Sequence, residues 1–237
     1  MPSKRWSRRE RAHMADSIAV VIPVLDRATL IGDALDSVFA QTRRPEQIIV
    51  VDDGSTDGTL ELLRGYGDRI TILTSDRAGP AGARNRGLAE VRCGQVAFLD
   101  SDDLWRPAAL ATLSDAMTAA RADAAWGLAE TEVMAGGALP NPLWPIAATR
   151  LVLIPSMLFR TASLRDLGGF DADLRFGEDG DLVMRMRREA WAVVELDEAV
   201  LLHRRHPDNM TLDRQGAAGA WFDLARKAMH LRRSQGR

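Results

Sequence analysis

The chain has 237 residues, 46% of them apolar and 27% charged, with a net charge of −2. That length suits one large α/β domain, and the near-neutral charge argues against global attraction to nucleic acid. Cys93 is the only cysteine, so an intrachain disulfide and a zinc site of several thiolates are both excluded.

In chain order, residues 1–15 read as a basic, flexible tail carrying Lys4, Arg5, Arg8, Arg9 and Arg11. No apolar stretch of secretory type follows them, and no run approaches the roughly 18 apolar residues of a membrane span. A reduced, cytoplasmic setting is the expectation. The basic termini would add a weak attraction to an anionic surface such as the inner membrane face. Ile18-Ala19-Val20-Val21-Ile22 is a continuous β-branched run, as in a strand covered on both faces. Apolar residues then recur at helical spacing from Ala28 to Gln41, Ile48–Val51 reads as a second buried strand, and Ser55, Thr56 or Asp57 is placed to cap the next helix. Ile70–Leu73 is a third strand. Gly79-Pro80-Ala81-Gly82 turns into a helix, Gln95–Leu99 is a fourth strand, and Pro107 suits the first turn of a helix to about Ala122. Ala124–Met134 is a further strand, followed by a loop with Pro140, Pro142 and Pro145. A helix from about Asp181 to Arg188 and a terminal helix from Ala217 to Arg233 complete the pattern. Strands alternating with helices imply an α/β fold, a doubly wound, mostly parallel sheet with helices on both faces. In such sheets ligands sit beyond the carboxyl ends of the strands.

Three acidic clusters fall at such places. Asp52 and Asp53 follow the second strand directly, before Gly54-Ser55-Thr56-Asp57-Gly58-Thr59. Turn chemistry explains Gly54 and Ser55. Two adjacent acids are harder to explain, since one must point toward the sheet end, where it would meet a nucleobase imide or a ribose hydroxyl. Asp100-Ser101-Asp102 follows the fourth strand. Alternate carboxylates on an extended segment approach one cation from one side, and hard oxygen ligands favour Mg²⁺ or Mn²⁺. Glu178, Asp179 and Asp181 form the third cluster, read both as helix N-terminal acids and as the source of a general base. The helix terminus would tend to lower that base's pKa. Arg84, at a helix start after a Gly-Pro-Ala-Gly turn, is expected to bind a phosphate or a base edge. His206 reads equally as a loop histidine or as a metal or phosphate contact.

With Ala83-Arg84-Asn85-Arg86-Gly87 and Gly168-Gly169-Phe170-Asp171, these clusters stand in an order that resembles family 2 glycosyltransferases of the GT-A fold, from about Ile18 to Thr211. The resemblance implies an inverting transfer from a nucleotide-diphosphate sugar, UDP-sugars being favoured, to an acceptor hydroxyl with Mn²⁺ or Mg²⁺. It implies that Pro23, Val24, Asp26, Asp53 and Arg84 frame the nucleotide, and that Asp100 and Ser101 lie near the ribose and diphosphate. Asp102 would be the main metal ligand, with Asp100 and His206 beside it, and Asp179 the base, supported by Glu178 and Asp181. Residues 16–125 would be the nucleotide-sugar-binding half, 126–215 the acceptor-binding and catalytic half of the same domain, and 216–237 a C-terminal helix. The acceptor wall is expected from Trp126 through Trp144 to Phe159.

Asp26 stands where relatives more often carry Tyr-Asn before Arg, and Gly180 replaces a frequent aromatic. The Gln-x-x-Arg-Trp motif of processive synthases is absent, which implies one addition per event. The acceptor is left open among glycans, lipid-linked glycans, peptides and small molecules. A non-catalytic nucleotide-binding module of the same fold and a nucleotidyltransferase are the alternatives. A dinucleotide-dependent oxidoreductase would need a Gly-x-Gly-x-x-Gly turn after the first strand, where Pro23-Val24-Leu25-Asp26-Arg27 stands instead.

Overall fold

The computed structural model describes residues 15–209 apart from positions 142 and 175. The basic tail and the expected terminal helix lie outside the described residues.

One eight-stranded sheet runs through the molecule, in the order β3-β2-β1-β4-β7-β6-β8-β5. The strands are β1 (Ile18–Val24), β2 (Gln47–Asp52), β3 (Thr71–Thr74), β4 (Gln95–Phe98), β5 (Leu104–Trp105), β6 (Ala124–Val133), β7 (Met157–Arg160) and β8 (Val193–Arg205). β1, β2, β3 and β4 are mutually parallel, and β6 and β8 are parallel. β7 runs against both β4 and β6, and β5 against β8. The expected mostly parallel sheet is therefore present, with two reversed strands that periodicity alone does not reveal.

The core follows from strand alternation. Ile18, Val20, Ile22 and Val24 face one side and pack with Ile31, Ala34, Leu35 and Val38 of helix α1 (Ile31–Phe39). Ala19 and Val21 face the other and join Ile49, Val51 and Ala81, Ala83 and Leu88 of α3 (Gly79–Glu90). Every residue of β1 is buried, which is why its sequence is apolar without a break. Between these two helices lies the short α2 (Thr59–Arg64). Later in the chain, α4 (Ala109–Ala120) lies on the first face, and α6 (Glu178–Arg188) adds Leu182, Val183 and Met186 to the second. The short α5 (Thr161–Asp166) follows β7.

Helix boundaries shift for local reasons. α1 begins at Ile31 rather than Ala28, because the Arg27 carbonyl accepts both the Leu30 and Ile31 N–H groups. Asp57 brackets the start of α2, accepting the Thr59 N–H at 3.0 Å and the Ala28 N–H at 2.9 Å. α4 starts at Ala109, two residues after Pro107, and α6 starts at Glu178, three residues earlier than expected. The consequence for the site is direct: Glu178 and Asp179 are the first residues of a helix rather than parts of the loop before it.

α3 lies unusually close to the sheet. A Cβ on Gly87 would stand 2.3 Å from Val21 Cγ1. Glycine is what lets the helix backbone approach β1. The carboxyl ends of β1, β2 and β4 open together, with β2 on one side of β1 and β4 on the other. Loops leaving neighbouring strands at such a reversal diverge and leave a crevice.

Candidate active site

The first group of candidate residues comes from the β1–α1 and β2–α2 turns. Pro23 and Val24 end β1 and are buried, and the Val24 carbonyl accepts the Asp53 N–H at 2.8 Å. Asp53 is 4% exposed. Its Oδ1 accepts from Ser75 Oγ at 2.6 Å and the Ala78 N–H at 2.8 Å, and its Oδ2 from the Gly79 N–H at 2.8 Å. The carboxylate expected to meet a base or ribose ties the loop that starts α3. Asp52 is the acid with an open acceptor. Its Oδ1 is buried with no hydrogen-bond partner, while Oδ2 is 3.4 Å from the Ser55 N–H. The same Asp-Asp pair marked both positions, but only the side-chain directions separate anchor from free acceptor. Asp26 adopts a left-handed backbone (φ 51°) and accepts the Thr56 N–H at 2.7 Å, joining the two turns. It too is placed here as a loop tie.

The second group is an ion cluster centred on Arg84. Its guanidinium is 3% exposed. Nη2 reaches Asp100 Oδ1 at 2.7 Å, and Nη1 reaches Glu178 Oε1 at 2.9 Å and Asp179 Oδ1 at 3.5 Å. Both terminal nitrogens of the guanidinium expected to meet a phosphate or base edge are held by carboxylates of the protein. The group also lies over the Phe170 ring, 5.4 Å from its centroid. Phe170 is fixed by Asn85, which accepts its N–H at 2.9 Å and donates to its carbonyl at 2.7 Å. A Cβ on Gly169 (φ +68°) would meet Asn85 Oδ1 at 2.5 Å. Asn85 and Phe170, 85 residues apart, therefore join the Ala-Arg-Asn and Gly-Gly-Phe motifs into one clamp that sets the loop leading to α6.

One cation cannot neutralise three carboxylates. Burial drives the Asp179 pKa up to about 7, with Arg84 opposing and Glu178 and Asp100 adding to the rise. Burial likewise raises Asp100, again against Arg84. Arg84 is itself held firmly protonated, because its three carboxylates outweigh the cost of its own burial. The helix-terminus effect expected to lower the Asp179 pKa loses to desolvation, the larger influence on a half-buried carboxyl whose Oδ1 is sealed from water. Asp179 is anchored through Oδ2, which accepts the Ile154 N–H at 3.0 Å, while Oδ1 makes no hydrogen bond. Asp181, expected to support the base, instead pairs with Arg185 at 2.7 Å within its own helix.

A third group adjoins the second through the Asp100–Asp102 segment. Asp102 Oδ2 lies 2.9 Å from His206 Nε2 and 3.6 Å from Arg27 Nε. Burial works to raise the Asp102 pKa, but the His206 hydrogen bond and Arg27 prevail and hold it below the ordinary range. The Asp208 N–H donates to His206 Nδ1 at 3.3 Å, which turns Nε2 toward Asp102. Ser101 is buried between the two acids. Asp103 and His203 form a neighbouring pair that sequence reasoning missed. Both carboxylate oxygens lie 3.1 Å from His203 Nδ1, and Oδ1 accepts the Arg204 N–H at 2.8 Å. Burial lifts the Asp103 pKa to about 6, and Asp103 raises that of His203 against the cost of burying it. The available signal was the polar run His203-Arg204-Arg205-His206 at the end of an apolar strand.

These donors fit a divalent cation in a limited way. Asp102 offers a carboxylate and His206 an imidazole, facing each other. Asp100, the expected further ligand, is turned to Arg84. Among the described residues no three His, Cys, Asp or Glu side chains gather as a cation site. A cation held here would draw its remaining ligands from substrate phosphate and water, as Mg²⁺ commonly does.

The acceptor wall also needs correction. Trp126 and Phe159 are 5% and 0% exposed and belong to the core. Trp144 donates from its indole N–H to Thr131 Oγ1 at 3.0 Å, which anchors the Pro-rich loop. Leu143 and Ile146 on that loop are exposed. No helix among the described residues is long and apolar enough to cross a membrane.

The sheet order, with acids at the carboxyl ends of its strands, is that of a GT-A-type fold. The chain belongs to glycosyltransferase family 2: the sequence model of Glycosyl transferase family 2 matches residues 19–156. It is 40% identical over 116 residues to the succinoglycan biosynthesis protein ExoW of Rhizobium meliloti, covering 46% of this chain and 36% of that protein. It is 26% identical over 223 residues to the uncharacterized glycosyltransferase EpsJ of Bacillus subtilis, covering 84% of this chain and 64% of that one. The chain thus spans less than two thirds of these relatives. Among solved structures it is similar to S. aureus TarS 1–349 in complex with UDP-GlcNAc, with a TM-score of 0.66 and 22% identity over 83% of this chain and 61% of that one.

Proposed function

We propose that this chain transfers a sugar from a nucleotide-diphosphate sugar, a UDP-sugar in first place, to an acceptor hydroxyl with inversion and one addition per event. The observation that carries the reading is the Arg84 cluster, which joins Asp100 at the end of β4 to Glu178 and Asp179 at the head of α6. Donor-side and acceptor-side acids thereby share one site. TarS was solved in complex with UDP-GlcNAc, which supports a uridine donor, and the Rhizobium relative is a succinoglycan biosynthesis protein, which supports a glycan as product.

In this reading residues 16–125 form the donor half and 126–215 the acceptor half. Pro23 and Val24 floor the base pocket, and Asp52 Oδ1 takes the base imide. The acceptor oxygen attacks the anomeric carbon from the face opposite the diphosphate, the bond to the diphosphate breaks, and the acceptor proton passes to Asp179. A carboxylate of pKa about 7 suits that task near neutrality. Its anchored Oδ2 fixes the orientation and its unbonded Oδ1 receives the proton. Glu178 keeps Arg84 against the base. Asp102 and His206 would hold Mn²⁺ or Mg²⁺, which when bound neutralises charge on the leaving diphosphate. Arg27, 3.6 Å from Asp102, adds positive charge on the same side.

The test is donor turnover across a panel of nucleotide sugars with Mn²⁺, comparing the native chain with Asp179→Asn. The expected result is a loss of roughly 100-fold or more in rate, the ordinary worth of a general base, with UDP binding retained. Equal rates would remove Asp179 as base.

A further inference from the structure

Arg84 is shared by acids from three parts of the chain. It stands in α3, Asp100 follows β4, and Glu178 and Asp179 open α6. Its two terminal nitrogens serve three carboxylates, and the short contacts go to Asp100 (2.7 Å) and Glu178 (2.9 Å), leaving Asp179 at 3.5 Å. The guanidinium has little freedom to turn, since it is 3% exposed and stacked on Phe170. Other groups facing Asp179 are the Ile154 N–H and Glu178 on its own helix, while Asp181 is taken by Arg185. Arg84 is therefore the one cation within ion-pair reach of Asp179 among the described residues.

We propose that Arg84 is a positioning residue for Asp179 and that Asp100 competes with Asp179 for its charge, so that a group engaging Asp100 on the donor side leaves more of that charge to the acids of α6, with the guanidinium held in place. The proposal rests on the reading of Asp179 as base and adds the means by which the donor side conditions it. A ribose hydroxyl or a cation drawing on Asp100 weakens its hold on Arg84. The freed charge then favours the ionised, proton-accepting form of Asp179. The base becomes competent when the donor is seated. Asp100 contributes by how much of Arg84 it retains.

The experiment follows the carboxyl carbon of Asp179 by NMR across pH, in the full chain labelled with ¹³C-aspartate, the resonance being assigned by its loss in Asp179→Asn. Arg84→Met should raise the Asp179 midpoint by about one pH unit or more, as expected for losing an adjacent guanidinium. Arg84→Lys should fall between that variant and the native chain. Asp100→Asn should move the midpoint the other way, downward, because it removes a negative neighbour and leaves the guanidinium to α6. Opposite displacements from two substitutions in one cluster are not what general loosening produces. An unmoved midpoint, or movement in the same direction in both, overturns the proposal. Should Arg84→Met fail to fold, Asp100→Asn decides alone, and a midpoint that stays or rises counts against the coupling. The transfer rate of Asp179→Asn is read separately: a dead Asp179→Asn with unmoved midpoints rejects the coupling and keeps the base, whereas an active one rejects the base.

Discussion

Asp179 shows how a half-buried carboxyl with a raised pKa costs stability as pH rises. Its folded pKa of about 7 lies above the ordinary 3.8. Between those values the folded chain keeps the proton while the unfolded chain releases it. The folded state then binds more protons, and stability falls as pH rises. The cost is complete above pH 7 and absent below the unfolded value. Asp179→Asn removes the charge and should make the chain more stable than the native one at pH 8. The gain is on the order of 1–3 kcal/mol after discounting for the partial exposure of the group, and it shrinks toward pH 5 in urea titrations. Asp53 offers the opposite case. Asp53→Ala strands the Ala78 and Gly79 N–H groups that its carboxylate accepts, and should cost about 1–3 kcal/mol, with the effect visible in the same titrations. The sequence marked Asp52 and Asp53 together as site acids. It could not assign their roles, because adjacent residues of a strand end point to opposite sides and the donors that claim Asp53 come from 22 to 26 residues later.

α3 carries the site more than any other element. Its Gly87 lets the backbone sit on Val21 and Val51, Arg84 gathers the acids, and Asn85 grips Phe170. Gly87→Ala would improve intrinsic helix propensity by up to about 1 kcal/mol. The added methyl would nonetheless meet Val21 Cγ1 at 2.3 Å in a closed core, so overpacking should win, with net destabilisation of about 1–2 kcal/mol measurable by thermal unfolding. Displacing α3 also displaces Arg84, so the variant should lose transfer activity beyond its loss of stability. The start of this helix was legible from its Gly-Pro turn, and its place in the order from the strand that follows. Its buried face was not, because that face bears Arg84 rather than an apolar stripe, and hydrophobic periodicity is silent on a buried ion cluster.

For the molecule as a whole, nucleotide binding should stabilise the folded state by mass action. UDP with Mn²⁺ at about 100 times its dissociation constant should add ~2.7 kcal/mol, readable as a rise in melting temperature of several degrees. Chelation should remove the metal-dependent part of that rise, and Asp102→Asn should do the same without a chelator. The sequence by itself determined the strands of the first half, the helices between them and the three acidic clusters at loop positions, because these depend on short-range periodicity, capping and the cost of burying charge. Only the tertiary structure decided that β7 runs against its neighbours, that Trp126 and Phe159 belong to the core, that Asp53 is an anchor and that Arg84 holds acids rather than an exposed anion site. Those outcomes turn on contacts between residues tens of positions apart. Which of several compatible partners a charged or aromatic side chain takes is settled by the packing of the elements that carry them.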